Sequence, residues 1–136
     1  AVGFSALLMC EYNPEPCQII TIENYEKRIP IARENFKKAG KEGQIELLEG
    51  DAAKILPTLT EPFDFIFMDP PYQMDLPKKV LEALKDTCLA DEETLIIAEE
   101  ALDVDFSWAG ALGYEIVKIK EYKTNKHVFL KVKEVY

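Results

Sequence analysis

Apolar and polar positions along this chain switch repeatedly between a period of two and a period of three to four. The run 17–23, Cys-Gln-Ile-Ile-Thr-Ile-Glu, is β-branched, ends in an acid and is bounded upstream by Asn13-Pro14-Glu15-Pro16. It predicts a buried strand. From Tyr25 to Ala39 the apolar residues Ile29, Ala32, Phe36 and Ala39 recur at the spacing of an amphipathic helix. Pro30 sits near its start, where a missing amide proton is tolerated, and Gly40 is placed to stop it.

Further on, Ile45 to Leu48 predicts a second short strand and Ala52 to Leu59 a short helix. Phe63 to Met68 reads as the most hydrophobic and most buried strand, ending at Asp69. Leu76 to Thr87 is helical by pattern, with Val80, Leu81 and Leu84 on one face, and Thr94 to Ala98 is another buried strand. Two alternating runs, Tyr114 to Tyr122 and Lys126 to Val132, joined by Lys123-Thr124-Asn125, predict an antiparallel hairpin. Strands separated by helices and closed by such a hairpin describe an α/β fold: an open, mostly parallel sheet with helices on both faces. There is no internal repeat and no low-complexity linker, so residues 1–136 are read as one domain.

Composition narrows the class without naming the chemistry. No apolar run approaches the about 18 residues that span a bilayer. The apolar stretch from Phe4 to Cys10 lacks the basic flank and cleavage site of a signal peptide. Cys10, Cys17 and Cys88 are odd in number and show no CxxC spacing, which disfavours a zinc site or a disulfide framework and fits a reducing compartment, with the cytoplasm as default. The net charge is −9, yet from Tyr114 onward six lysines face three glutamates. An acidic body does not bind a duplex by charge alone, whereas a basic C-terminal patch can approach phosphates. The same lysines could equally solvate an edge strand.

The candidate chemistry sits in Asp69-Pro70-Pro71-Tyr72. Open α/β sheets bind ligands beyond the carboxyl ends of their strands. Two consecutive prolines fix the backbone and remove two amide donors, leaving carbonyl acceptors without competitors. An exocyclic amine on guanine or adenine is a poor nucleophile because its lone pair is delocalised into the ring. A carboxylate and a backbone carbonyl accepting its two N–H bonds favour a pyramidal nitrogen and stabilise the positive charge that develops there. Tyr72 offers a flat face on which a flipped-out base can stack. The plain alternative is a strand, a rigid turn and a core tyrosine.

Phe67-Met68-Asp69-Pro70-Pro71-Tyr72 resembles the (D/N)-P-P-(Y/F/W) motif of Rossmann-like amino-methyltransferases. From about Phe63 to the end, the chain resembles the bacterial 16S ribosomal RNA guanine-N2 methyltransferases. Asp69-Pro70-Pro71-Tyr72, a helix, Leu95-Ile96-Ile97-Ala98-Glu99, and a closing Gly113-Tyr114-Glu115 with Lys120-Glu121-Tyr122-Lys123 carry that likeness. The first half is similar instead to the small catechol-type O-methyltransferases, whose bacterial members include tRNA hydroxyuridine methylases. The residues concerned are Gly3-Phe4-Ser5-Ala6-Leu7, Ile22-Glu23, Lys27-Arg28-Ile29, Ala32-Arg33-Glu34-Asn35-Phe36 and Glu49-Gly50-Asp51-Ala52. That family places a metal-binding Asp, then Ala and Lys, where this chain has Asp69-Pro70-Pro71, so its metal pattern is broken here and no metal is expected.

Both resemblances imply S-adenosylmethionine as cofactor and a shared way of holding it. Glu23, with Asn24 beside it, would accept hydrogen bonds from the ribose hydroxyls. Asp51 with Ala52 would meet the adenine edge, although Asp51 is equally suited to cap a helix. Gly3 would let the backbone approach the methionine part, and Asp69 would border both cofactor and amine. Related chains carry a strand and an acidic glycine-rich turn ahead of that glycine, whereas this sequence begins at Ala1, so the first strand is expected to be missing. The strand would then be lost, supplied by another copy in a homo-oligomer or by a partner, or bypassed.

The resulting expectation is methylation of a base amine, guanine N2 of small-subunit ribosomal RNA in particular, with RNA as partner and no membrane. Its rivals are an O-methyltransferase of the catechol or tRNA hydroxyuridine type and a non-catalytic truncated or chimeric module. His127 is assigned an edge or packing role, Glu99-Glu100 a solvated strand end and Trp108 a packing anchor, while Asn125 and Lys126 are proposed to touch RNA on charge alone.

Overall fold

The computed structural model describes residues 3–13, 18–69 and 74–134. They form two compact units, which divide between residues 55 and 56. The first unit contains helix α1 (Phe4–Tyr12), strand β1 (Ile19–Glu23), helix α2 (Ile29–Lys38), strand β2 (Ile45–Glu49) and the short helix α3 (Ala52–Ile55). β1 and β2 pair in parallel, Ile19 opposite Ile45 through Glu23 opposite Glu49. A parallel pair needs a crossover, which α2 supplies.

α2 starts four residues later than the apolar period suggests. Pro30 explains this: inside a helix its ring would clash with the preceding turn, so it is accommodated in the first turn, and Tyr25 to Arg28 fold as a turn closed by Arg28 N–H to Tyr25 O at 2.9 Å. Gly40, at φ +68, ends the helix as expected. The core is Ala6 and Cys10 of α1, Ala32 and Phe36 of α2, and Ile45 and Leu47 of β2. Phe36 alone, at 3 % exposure, contributes about 1.5–3 kcal/mol by leaving water. α3 gives way to a 3-10 turn at Leu56–Thr58, because Pro57 has no amide proton to continue the α ladder.

The second unit holds β3 (Phe65–Met68), α4 (Leu76–Lys85), β4 (Leu95–Ala101), a 3-10 segment (Ser107–Leu112), β5 (Tyr114–Glu121) and β6 (Asn125–Val132). The sheet order is β3-β4-β6-β5, with β3 parallel to β4 and the other two pairs antiparallel. The C-terminal hairpin is present, closed by Tyr122 N–H to Asn125 O at 2.8 Å.

One expectation about this sheet is corrected. β3 is not its most buried strand: Phe65 is 44 % exposed, while β4 buries Ile96, Ile97, Ala98 and Glu100. β3 lies at the margin of the four-stranded order, whereas β4 has a neighbour on each side. Leu81 and Leu84 of α4, with Leu89, Phe106, Ala109, Tyr114, Val128 and Leu130, are also buried in this unit. Thr94, fully buried, ties the start of β4 to the segment before β3 by donating from Oγ1 to Phe63 O at 2.7 Å. Tyr114 donates its hydroxyl to Leu81 O at 2.7 Å and so pins β5 to α4. Among the described residues no helix is long and apolar enough to cross a membrane.

Candidate active site

The β3–β4 register, Phe65 opposite Leu95 through Met68 opposite Ala98, brings the ends of the two strands level, so that Asp69 follows β3 where Glu99 continues β4. Asp69 itself is exposed, and a side-chain hydrogen bond to Glu99 is the first influence on its carboxyl. The Asp69 carboxyl is accordingly pushed up from 3.8 to about 6, first by that bond, then by partial loss of water and by the Glu99 charge, with the His127 charge opposing. Pro70, Pro71 and Tyr72 of the predicted motif lie outside the described residues.

β6 closes this site from the other side of β4. Glu99 pairs with His127 in register, and Glu99 Oε1 lies 3.2 Å from His127 Nε2. The same oxygen accepts a hydrogen bond from Asn125 Nδ2 at 3.1 Å. The imidazole is held by two aromatic edges: Phe67 of β3 at 5.9 Å and Tyr122 at 4.9 Å between ring centroids, both T-shaped. The side chains of His127 and Glu99 are 23 % and 18 % exposed, so the group is sheltered but open to solvent.

These contacts correct three sequence expectations. Glu99 and Glu100 are not a solvated acid pair: Glu100 is fully buried and accepts the Ala101 amide at 2.9 Å. His127 is not limited to edge packing, since it faces the carboxyl pair. Asn125 and Lys126 are not displayed for RNA either. Asn125 is turned onto Glu99, and Lys126, 9 % exposed, donates to Val104 O and lies 5.7 Å over the Phe106 ring. A strand pattern assigns alternate residues to two faces but says nothing of what covers each face. The sequence places Glu99 just after one predicted strand and His127 in another, and carries no signal that the two strands pair.

In the first unit, the expected cofactor residues Glu23, Asn24, Asp51 and Ala52 close or follow the carboxyl ends of β1 and β2. Glu23 closes β1, accepts the Tyr25 amide on Oε1 at 3.2 Å and lies beside Glu49, while its carbonyl takes the Gly50 amide at 3.0 Å. Asn24 follows it in the exposed turn. Asp51 accepts the Ala53 amide on Oδ1 at 3.0 Å and so caps α3, which begins at Ala52. Gly3, at φ +82, opens α1; a Cβ there would stand 2.5 Å from the Phe36 ring. A strand-end carboxylate and a glycine turn are the donor and acceptor types that a ribose diol and an amino-acid chain require, so these residues fit S-adenosylmethionine. Asp69 belongs to the second unit.

Comparison with known proteins agrees with this architecture. A catechol O-methyltransferase from Niastella koreensis is 38 % identical over 77 residues, covering 52 % of this chain and 35 % of that protein. The tRNA1(Val) (adenine(37)-N6)-methyltransferase of Haemophilus influenzae is 31 % identical over 70 residues, 52 % of this chain and 30 % of that one. The chain thus spans about a third of the length of these curated relatives. Among solved structures, the S-adenosylhomocysteine-bound methyltransferase of Podospora anserina superposes with a TM-score of 0.77 at 21 % identity, over 98 % of this chain and 68 % of that one. The profile of the family described as conserved hypothetical protein 95 matches residues 16–131. The chain therefore belongs to the conserved hypothetical protein 95 family and has the Rossmann-like fold of S-adenosylmethionine-dependent methyltransferases.

Proposed function

We propose that this chain methylates an exocyclic base amine in RNA, guanine N2 of small-subunit ribosomal RNA in particular. The observation that carries the reading is the Asp69 carboxyl at the end of β3, joined to Glu99 and followed in sequence by Pro70-Pro71-Tyr72. S-adenosylmethionine supplies an electrophilic methyl group. Glu23 and Asn24 are assigned to its ribose, Asp51 and Ala52 to its adenine, and Gly3 to its amino-acid end. Asp69 and the Pro70 carbonyl accept the two N–H bonds of the amine and turn its lone pair toward the methyl group. Pro71, which has no amide proton, keeps a competing donor away from the amine, and Tyr72 stacks on the base. Holding the amine in line with the methyl carbon provides much of the acceleration. An amine-methylating relative, the tRNA adenine-N6 enzyme, supports the substrate class.

A second reading is methyl transfer to a hydroxyl, favoured by the catechol O-methyltransferase likeness of the first half. The two are separated by assaying transfer from labelled S-adenosylmethionine to unmethylated small-subunit ribosomal RNA and to catechol. Titration calorimetry with S-adenosylhomocysteine first establishes binding. Asp69→Ala is expected to lose about 100-fold or more in turnover on RNA while the fold is kept. Full turnover in that variant, or transfer to catechol alone, overturns the amine reading.

A further inference from the structure

We infer that Asp69, Glu99 and His127 act as one proton-sharing unit, in which Glu99 and His127 are positioning residues that drain the proton shed by the methylated amine. The inference rests on the amine reading above and extends it to the fate of that proton. Its basis is geometric. Glu99 is the hinge of the group: the β3–β4 register sets it level with Asp69, while its Oε1 meets His127 Nε2 at 3.2 Å and Asn125 Nδ2 at 3.1 Å. Asp69, which follows β3, Glu99 of β4 and His127 of β6 come to the same level of the sheet.

The chemistry leaves one proton to be carried away. When the nitrogen lone pair takes the methyl carbon, the carbon–sulfur bond breaks and its electron pair stays on sulfur. The nitrogen then holds one proton too many. That proton passes to an oxygen of Asp69, across the shared bond to Glu99, and by way of the partly exposed imidazole of His127 to water. Asp69 is thereby returned to the carboxylate that the next amine needs, and no oxidant or further reactant is involved.

The charged surroundings are few on this side of the sheet. Lys120 of β5 stands opposite His127 in register, with its ammonium 5.3 Å over the Tyr122 ring. Lys126 is withdrawn: it is bonded to Val104 O and pairs in register with the buried Glu100. Asp64 lies at the far end of β3.

The test follows the side-chain carboxyl carbons of the carbon-13-labelled chain by NMR across a pH series, without RNA or cofactor. Asp69 should titrate with a midpoint near 6, and the Glu99 signal should move with it. Glu99→Gln should bring the Asp69 midpoint back toward 3.8, whereas His127→Gln should move it upward. Amide spectra check that both variants are folded, and His127→Asn serves if His127→Gln is not. An Asp69 midpoint at the ordinary value, or one unmoved by Glu99→Gln, overturns the unit whatever the chain methylates. In turnover, His127→Gln should lower kcat on ribosomal RNA by about tenfold or more with KM and S-adenosylhomocysteine affinity unchanged. An unchanged kcat overturns the draining role. Coupled titration without methylation of RNA would count against the amine reading instead.

Discussion

Glu99 and His127 face each other across β4 and β6, and their side chains close to 3.2 Å although 28 residues separate them in sequence. The contact makes Glu99, within β4, part of a partly exposed polar network. Glu99 also receives Asn125, and it is the first influence on the Asp69 carboxyl. Such networks are strong when every member is satisfied and costly when one is removed.

The folded chain should lose stability as pH rises through the range in which Asp69 gives up its proton. The Asp69 carboxyl is raised from 3.8 to about 6 on folding, so the folded state holds the proton more tightly than the unfolded one. The contribution is complete below 3.8 and is lost as pH rises through about 6. Asp69→Asn should remove this decline. Urea unfolding at a series of pH values checks it, and identical pH slopes in the two proteins would refute the shared proton.

Tyr114→Phe should destabilise the second unit by about 1 kcal/mol, since it removes the 2.7 Å bond to Leu81 O but keeps the buried ring. Burial, and then the Asp86 charge, push this phenol up from 10.0 to about 12. The neutral phenol therefore contributes fully below 10.0 and the contribution is lost as pH rises through about 12. The phenylalanine variant should lack that alkaline loss when both are melted at high pH.

Gly3→Ala should destabilise the first unit by about 1–3 kcal/mol. The position has φ +82, and a Cβ would meet the Phe36 ring at 2.5 Å, where the ring is 3 % exposed and has little room to move. A shift of the denaturation midpoint measures the effect, and Phe36→Leu in the same background should relieve part of it.

The C-terminal lysines should separate into two classes. Lys118 and Lys120 lie on the exposed face of β5, over Phe129 and Tyr122, so on the RNA reading proposed above changing both to glutamine should weaken RNA binding and lower its salt slope by roughly 1–2. Lys126→Gln should instead cost about 1–3 kcal/mol of stability, because it leaves Val104 O without its buried donor. Filter binding at several salt concentrations and thermal melts distinguish the two.

Much of the architecture was legible in the sequence because its causes are local. β-branched runs, the three-and-four spacing of Ile29, Ala32 and Phe36, the stop at Gly40 and the alternation from Tyr114 to Val132 each act within a few residues. Asp69 was legible too, since an acid followed by two prolines at a strand end is a local signal. The start of α2 and the end of α3 were less so, because Pro30 and Pro57 weigh against an apolar period that runs straight through them.

What the sequence by itself determined is therefore the order and type of the elements, and the acid that ends β3. Only the tertiary structure decided which strand lies at the centre of the sheet, why Glu100 and Lys126 are buried, and that His127 and Asn125 turn onto Glu99. The physical reason is that alternation assigns a residue to a face of its own strand, while pairing order and register choose what lies opposite, and those arise from packing between segments far apart in the chain.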